Sequence, residues 1–338
     1  MATTKMTYPI WYDRSFFIPA GPYTVRKTDG TVIYSGYAKS PSENGGGVSI
    51  YLKSILMNYL TPELQDGDNG DYTHNTTQTR VFQLWVGQET EARFEMTVWY
   101  DWSYSYDALN YLPNYGGVIS QPINFHWNRA QIIPVSFFES SDTNVWQYHY
   151  MTDQGETTVD LNVYTANDFI STLTIKPQGQ AGMDSFRITN NGTDIMKWTS
   201  ADEKCAYGAI YYVNSMGGWD SFLLEHNIAE KQDIDRQEWS TGTDWFSESF
   251  DRQYLNKSIR YTYSTNTGWL TDEQSKLLYD HLFASPMIYF QNFNEENPDR
   301  LYPVNFTKTS WTKKEFKNGR HLISYDLEFK SSHIKQRQ

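Results

Sequence analysis

The sequence predicts a mainly β, multi-domain protein with β-sandwich-like domains and a C-terminal α+β domain whose sheet is covered by one helix. Three observations carry this expectation. Aromatic residues make up 17% of the 338 residues, with 26 tyrosines, and Tyr, Trp and Phe favour pleated, half-buried surfaces. Apolar residues recur at a spacing of two in short runs separated by turn signals. A single segment near the C-terminus carries a full set of helix start and stop signals.

The first domain is expected over residues 1–117. Tyr23-Thr24-Val25-Arg26 and Val32-Ile33-Tyr34 flank Thr28-Asp29-Gly30-Thr31, and an Asp-Gly step between apolar runs is a hairpin signal. A loop from Ser40 to Gly47 leads into Val48, Ile50 and Leu52 at strand spacing. Ile55, Leu56, Tyr59 and Leu60 then follow at helical spacing until Pro62. Two further strands, Val81–Val86 and Phe94–Trp102, come after a polar loop.

Residues 118–205 read as a β-sandwich. Val145–Tyr150, Val159–Tyr164, Phe169–Ile175, Phe186–Ile188 and Ile195–Trp198 are short alternating runs, and Asn190-Asn191-Gly192 is a turn. From residue 206 to 338 the texture changes. Ala209–Val213 and Phe222–Leu224 are expected as buried strands around Gly217-Gly218-Trp219-Asp220, and an acidic, polar stretch follows. Thr271 is the expected N-cap of the helix, with Asp272 and Glu273 in its first turn and Gln274 completing a capping box. Leu277, Leu278 and Leu282 form its apolar stripe, and Pro286 lies past its end. Strands at Met287–Phe290, Tyr302–Thr307 and Leu322–Phe329 finish the chain, the last alternating between a dry face and a wet one.

Composition narrows the function classes. A formal net charge of −12 disfavours direct nucleic-acid binding and docking on an anionic membrane. Cys205 is the single cysteine, which rules out an intramolecular disulfide and cysteine-rich zinc sites. The opening residues do not read as a secretory signal, and no run approaches the roughly 18 apolar residues of a transmembrane helix. Synthesis in a cytoplasm is the expectation.

The segments that resemble chemistry fail on geometry. Trp99-Tyr100-Asp101-Trp102-Ser103-Tyr104-Ser105-Tyr106-Asp107 brackets two carboxylates with aromatics, as a sugar platform would. In one strand, however, Asp101 and Asp107 stand about 20 Å apart, and glycosidase carboxyl pairs stand about 5–9.5 Å apart. Asp66 to Asp71 opens like a calcium loop, but Thr77 stands where the closing Glu is needed. Gly45-Gly46-Gly47 lacks the Lys and Ser/Thr of a phosphate-binding loop. His281 falls on the apolar side of the helix, the place of a hydrogen-bonded core histidine. No catalytic, cofactor or metal residue is assigned.

Charge is unevenly distributed. Residues 308–338 carry a balance of +5, which leaves −17 for the rest, and residues 220–252 concentrate nine carboxylates. Two solvated surfaces would explain this. So would a basic end, with Lys335 and Arg337, that meets the acidic stretch of an adjacent subunit and sets its register.

Four segments together resemble the virion structural proteins of crAss-like and related Bacteroidales phages. They are the aromatic opening Tyr8, Trp11 and Tyr12 with the hairpin and Val48–Leu52; Tyr100–Tyr104; Tyr211-Tyr212-Val213-Asn214 with Gly217-Gly218-Trp219-Asp220-Ser221-Phe222; and Thr271–Pro286 with the Tyr325–Phe329 strand. The middle sandwich is unmatched. The resemblance implies a tail or ring component of a virion, repeated around the tail axis as a cyclic homo-oligomer. Its other partners would be tail or portal-proximal proteins. It implies no cofactor and no catalytic residues. Trp219, Asp220, Phe222, Trp102, Tyr104, Lys335 and Arg337 are the interface or structural candidates. The rival reading is a carbohydrate-binding module for host attachment, with Trp102, Tyr104 and Tyr106 as its stacking surface.

Overall fold

A computed structural model of the chain describes residues 3–10, 14–40, 47–64, 72–74, 78–100, 117–120, 122–124, 126–128, 130–138, 144–161, 170–177, 185–200, 207–240, 252–295, 300–315, 321–332 and 335–337. The fold is mainly β, with several sheets and short helices. It divides into two compact units. The first comprises Met1–Phe125, Ile132–Thr199 and Val213–Asp220; the second comprises His126–Gln131, Ser200–Tyr212 and Ser221–Gln338. The N-terminal and middle segments separated at residue 117 in the sequence both fall within the first unit.

The first unit opens with a five-stranded sheet. β1 (Thr4–Pro9) runs parallel to β8 (Phe94–Trp99), β8 pairs with β7 (Thr79–Val86), β7 with β3 (Gly21–Lys27), and β3 with β4 (Val32–Ala38). The β3–β4 hairpin turns where the Asp-Gly step places it: Gly30 has φ +86, and Asp29 Oδ1 accepts from the backbone N–H of Thr31 at 2.8 Å. One face, with Val25, Phe82, Leu84, Met96 and Val98, is buried. The short helix α1 (Lys53–Leu56) and a 3₁₀ turn at Met57–Tyr59 follow β5 (Val48–Tyr51), which pairs with β2 (Ser15–Ile18). Leu56 is fully buried and Tyr59 meets Phe82 edge-on.

Two sheets stand where the middle sandwich is expected, and the second takes a strand from residues 72–74, outside 118–205. In one, β12 (Trp146–Thr152) pairs with β13 (Gly155–Leu161) and β15 (Ser185–Asn190), and β15 pairs with β16 (Thr193–Ser200). In the other, the order is β6 (Tyr72–His74), β14 (Ile170–Ile175), β11 (Ile133–Phe138), β9 (Gly117–Val118). Strand alternation puts Trp146, Tyr148, Phe186, Ile188 and Trp198 inside, and Phe137 of the second sheet meets Trp146 of the first at 5.1 Å between ring centroids. The opposite face is polar: Arg187 bridges Glu156 at 2.9 Å and Asp194 at 2.7 Å. The Asn-Gly turn is present, with φ +49 at Asn191 and +77 at Gly192.

The second unit begins with the short β10 (His126–Trp127) and is dominated by an eight-stranded sheet. Its order is β18 (Trp219–Leu224), β17 (Gly208–Val213), β21 (Ile288–Asn292), β22 (Leu301–Glu315), β23 (His321–Ser331), β20 (Arg252–Asn266), β19 (Ala229–Ser240), and β24 (Lys335–Arg337) also pairs with β20. The helix starts where the capping box predicts. The Thr271 side chain accepts from the Gln274 N–H, and the Gln274 side chain accepts from the Thr271 N–H, over α2 (Asp272–Leu277). Its continuation, Leu278–Leu282, widens into a π-helical turn. Ser275 bonds the Tyr325 hydroxyl at 2.8 Å, and Phe283 meets Tyr325 and Phe306, so helix and turn cover the terminal sheet.

Two long strands, β19 and β20, stand where the sequence shows an acidic, polar stretch. Its period-2 signal is hidden because the described residues of β19 are exposed or half-buried on both faces, so no dry face marks the strand.

Candidate functional site

The residues with the most determined surroundings are those of the turn joining β17 to β18. Both strands are buried along their whole length. Between them the chain must reverse where no water is available to its polar groups, and each such group needs a protein partner. Asn214, fully buried, supplies most of them. Its Oδ1 accepts from the N–H groups of Met216 and Gly218, both at 3.0 Å. Its Nδ2 donates to the Ile119 carbonyl at 2.7 Å and to Asp220 Oδ2 at 2.8 Å. Its backbone closes the turn, donating to the Gly218 carbonyl at 2.8 Å and accepting from Gly217 at 3.0 Å.

The two glycines are required for different reasons. Gly217 has φ +88, and a Cβ there would collide with the Tyr100 carbonyl oxygen. Gly218 has ordinary backbone, but a Cβ would stand 3.0 Å from both Ile119 Cγ1 and Ser136 Cβ. The Gln78 side-chain amide donates to the Gly217 carbonyl.

Trp219 is clasped by two serines. Its N–H donates to Ser136 Oγ at 2.9 Å, and its carbonyl accepts from Ser120 Oγ at 3.0 Å. Ser120 Oγ also accepts from the Ser136 N–H at 2.8 Å, and Ser136 Oγ meets Thr172 Oγ1 at 3.0 Å. Met216 packs against a buried apolar cluster of Trp99, Ile119, Phe138 and Ile170.

Of the candidates taken from the sequence, Trp219, Asp220 and Phe222 are all buried. Asp220 is therefore not part of a surface acidic patch. Its carboxylate accepts from Asn214 inside the fold, the role expected of a carboxylate taken out of water. Trp102 and Tyr104, with Asp101, Tyr106, Asp107, Cys205 and the Asp66–Asp71 segment, lie outside the described residues. The backbones of Lys335 and Arg337 pair with Ile259 and Lys257 of β20, whose other neighbour is β19 with Glu230, Asp233, Asp235 and Glu238. The basic chain end thus sits two strands from the acidic one within a single sheet. Asp233 already has local partners: Lys231 at 2.8 Å and the Thr262 hydroxyl at 3.0 Å, which hold its carboxyl below the usual range.

His281 is buried in the π-helical turn, and burial lowers its pKa against a smaller opposing effect of Asp280. Among the described residues, no three His, Cys, Asp or Glu side chains cluster as a metal site. No helix is long and apolar enough to cross a membrane.

Sequence reasoning missed Gln78, Ser120, Ser136 and Thr172. Gln78, Ser120 and Ser136 meet the turn across separations of 83 to 139 residues, Thr172 bonds Ser136 behind them, and no local pattern encodes such a meeting. Asn214 could have been found: an Asn before a Gly-Gly step is a turn residue that bonds its own backbone.

No protein-family model matches this chain, and no curated protein matches it. Among solved structures, it is similar to a chain of the virion of a native gene transfer agent particle, at 14% identity and a TM-score of 0.25. The similarity covers 41% of this chain and 99% of that one. A chain from the C6-symmetric tail of an empty gene transfer agent particle is similar at 16% identity and a TM-score of 0.24, with the same coverage.

Proposed function

We propose that the chain is a non-enzymatic structural component of a phage virion, a tail or ring protein. It acts by self-association into a cyclic homo-oligomer and by contacts with other tail or portal-proximal proteins. In this reading it needs no cofactor, and it joins the particle after synthesis in the host cytoplasm. The observation that supports the reading is the fate of the segment that carries much of the resemblance, Tyr211–Asn214 with Gly217–Phe222. Each of its conspicuous residues has an architectural use. The glycines fit a backbone, Asp220 receives the Asn214 amide, and Trp219 is held between Ser120 and Ser136. A segment used in this way holds a scaffold together, and a scaffold acts through its surfaces.

The test is the solution mass of the purified chain by light scattering, with negative-stain images of the same sample. Closed rings of a fixed number of copies are the expected result. A monomer at every concentration, in the presence and absence of tail extract, overturns the reading.

A further inference from the structure

The exposed edges of the sheets are protected unequally. An edge strand offers unpaired N–H and C=O groups to any passing strand, and soluble proteins usually block it with charge or proline. β19, the outer strand of the terminal sheet, is blocked in this way: six of its twelve residues are charged (Glu230, Lys231, Asp233, Asp235, Arg236 and Glu238). β1, one edge of the N-terminal sheet, contains Lys5 and Pro9. β4, the other edge of that sheet, has no such protection. It reads Val32-Ile33-Tyr34-Ser35-Gly36-Tyr37-Ala38, without a charge or a proline. Among the described residues no strand pairs with its outer side. Val32, Tyr34 and Tyr37 are 49%, 39% and 66% exposed.

The open groups can be assigned. Pro22 of β3 accepts from Gly87 at the far end of β7, so alternation turns the main-chain groups of Pro22 and Thr24 towards β7 and those of Tyr23 and Val25 towards β4. Tyr37 and Ser35 stand opposite Pro22 and Thr24. Their N–H and C=O groups therefore point out of the sheet edge.

The charges that flank this neutral strand identify what fits it. Asp29 precedes it and Lys39 follows it; both are exposed, and neither forms an ion pair with a described residue. In an antiparallel pair of two β4 strands, related by a two-fold axis near Tyr34 and Ser35, each Asp29 approaches the Lys39 of the other copy. The complementary charges occur twice, at the two ends of a strand that carries none. In a chain of net charge −12, this is an edge where two copies meet without setting like charges opposite one another.

We propose that β4 is a self-pairing edge through which two copies of this chain join their N-terminal sheets into one antiparallel sheet. The contact is isologous, so it joins two copies, or two rings face to face, and does not itself close the ring proposed above; it rests on that self-association reading and adds a second surface to it.

Three variants test it by light scattering and native mass spectrometry, with circular dichroism and thermal melting as fold controls. Ser35→Pro removes a donor that the sheet itself does not use, and proline is tolerated on edge strands; it should abolish the two-fold pair while leaving the melt unchanged. Lys39→Asp should weaken pairing about tenfold, since two attractions become repulsions. The double exchange Asp29→Lys with Lys39→Asp should restore it. Assembly that persists unchanged in Ser35→Pro overturns the edge and leaves self-association standing. A wild-type monomer overturns both. Failure of the double exchange to restore pairing, with its fold intact, overturns the proposed two-fold.

Discussion

The turn at Asn214 in the first unit and the helix-covered sheet of the second are both dry, yet they are held together by opposite means. Around Asn214 the chain is fixed by directed bonds. One side-chain amide makes four of them, and two serines and a glutamine reach in from distant strands. In the terminal sheet the contacts are rings: Phe329 meets Phe290 at 4.9 Å, Tyr263 at 5.5 Å and Phe306 at 5.9 Å. Ring packing is less directional than hydrogen bonding and tolerates a change of shape at similar volume. A buried polar network does not, because each lost partner leaves a desolvated group behind. The first region specifies one conformation of one turn; the second supplies bulk burial to a sheet of long strands.

That contrast can be broken most forcefully at its polar end. Asn214→Leu keeps the volume but removes partners from the Met216 and Gly218 N–H groups, the Ile119 carbonyl and Asp220. At about 1–3 kcal/mol for each buried group left unpaired, the loss should be at least about 4 kcal/mol in urea unfolding. Hydrogen exchange should open first in residues 208–224. A loss under about 1 kcal/mol would mean that the network is not what fixes the turn.

Phe329→Leu sharpens the other end. Although Phe329 is as fully buried as Asn214, this apolar swap should cost only about 1–1.5 kcal/mol, since neighbouring rings can move into the freed space. Equal losses for the two leucine variants, measured in the same urea series, would erase the distinction between the regions.

The smallest effect concerns His281, a titratable group buried in the π-helical turn. His281 has its pKa lowered from 6.5 by burial, so the unfolded chain takes up its proton more readily than the folded one. The contribution is fully present above about pH 6.5 and is lost as pH falls through 6.5 towards the lowered folded value. Melting temperature should therefore fall from pH 7 to pH 5, and His281→Gln should flatten that slope. A slope unchanged by the substitution would place the acid sensitivity elsewhere.

Much of the architecture was legible because the signals were local. The Asp-Gly hairpin at residues 28–31, the Asn-Gly turn at 191–192 and the Thr271 capping box each follow from a few adjacent residues whose backbone needs are known. The buried character of Ala209–Val213 was readable from its continuous apolar run. β19 was not legible, since its described side chains give it no dry face, and β20 was not, although it buries Thr262, Tyr263 and Thr265, because polar residues are buried along with the ring. The same limit applied to the site. Trp219 and Asp220 stood out by composition, but nothing nearby announced Ser120, Ser136 or Gln78.

By itself, the sequence determined the β-rich class, the turns, the helix start and the absence of a cysteine framework, because these depend on short-range sterics, capping and composition. Tertiary structure alone decided that Asp220 is an internal hydrogen-bond acceptor, that the chain end runs beside β20, and that β4 is a bare edge while β19 is a charged one. Each of these depends on which distant strand becomes a neighbour. That choice is made by the packing of whole sheets, and no window of adjacent residues contains it.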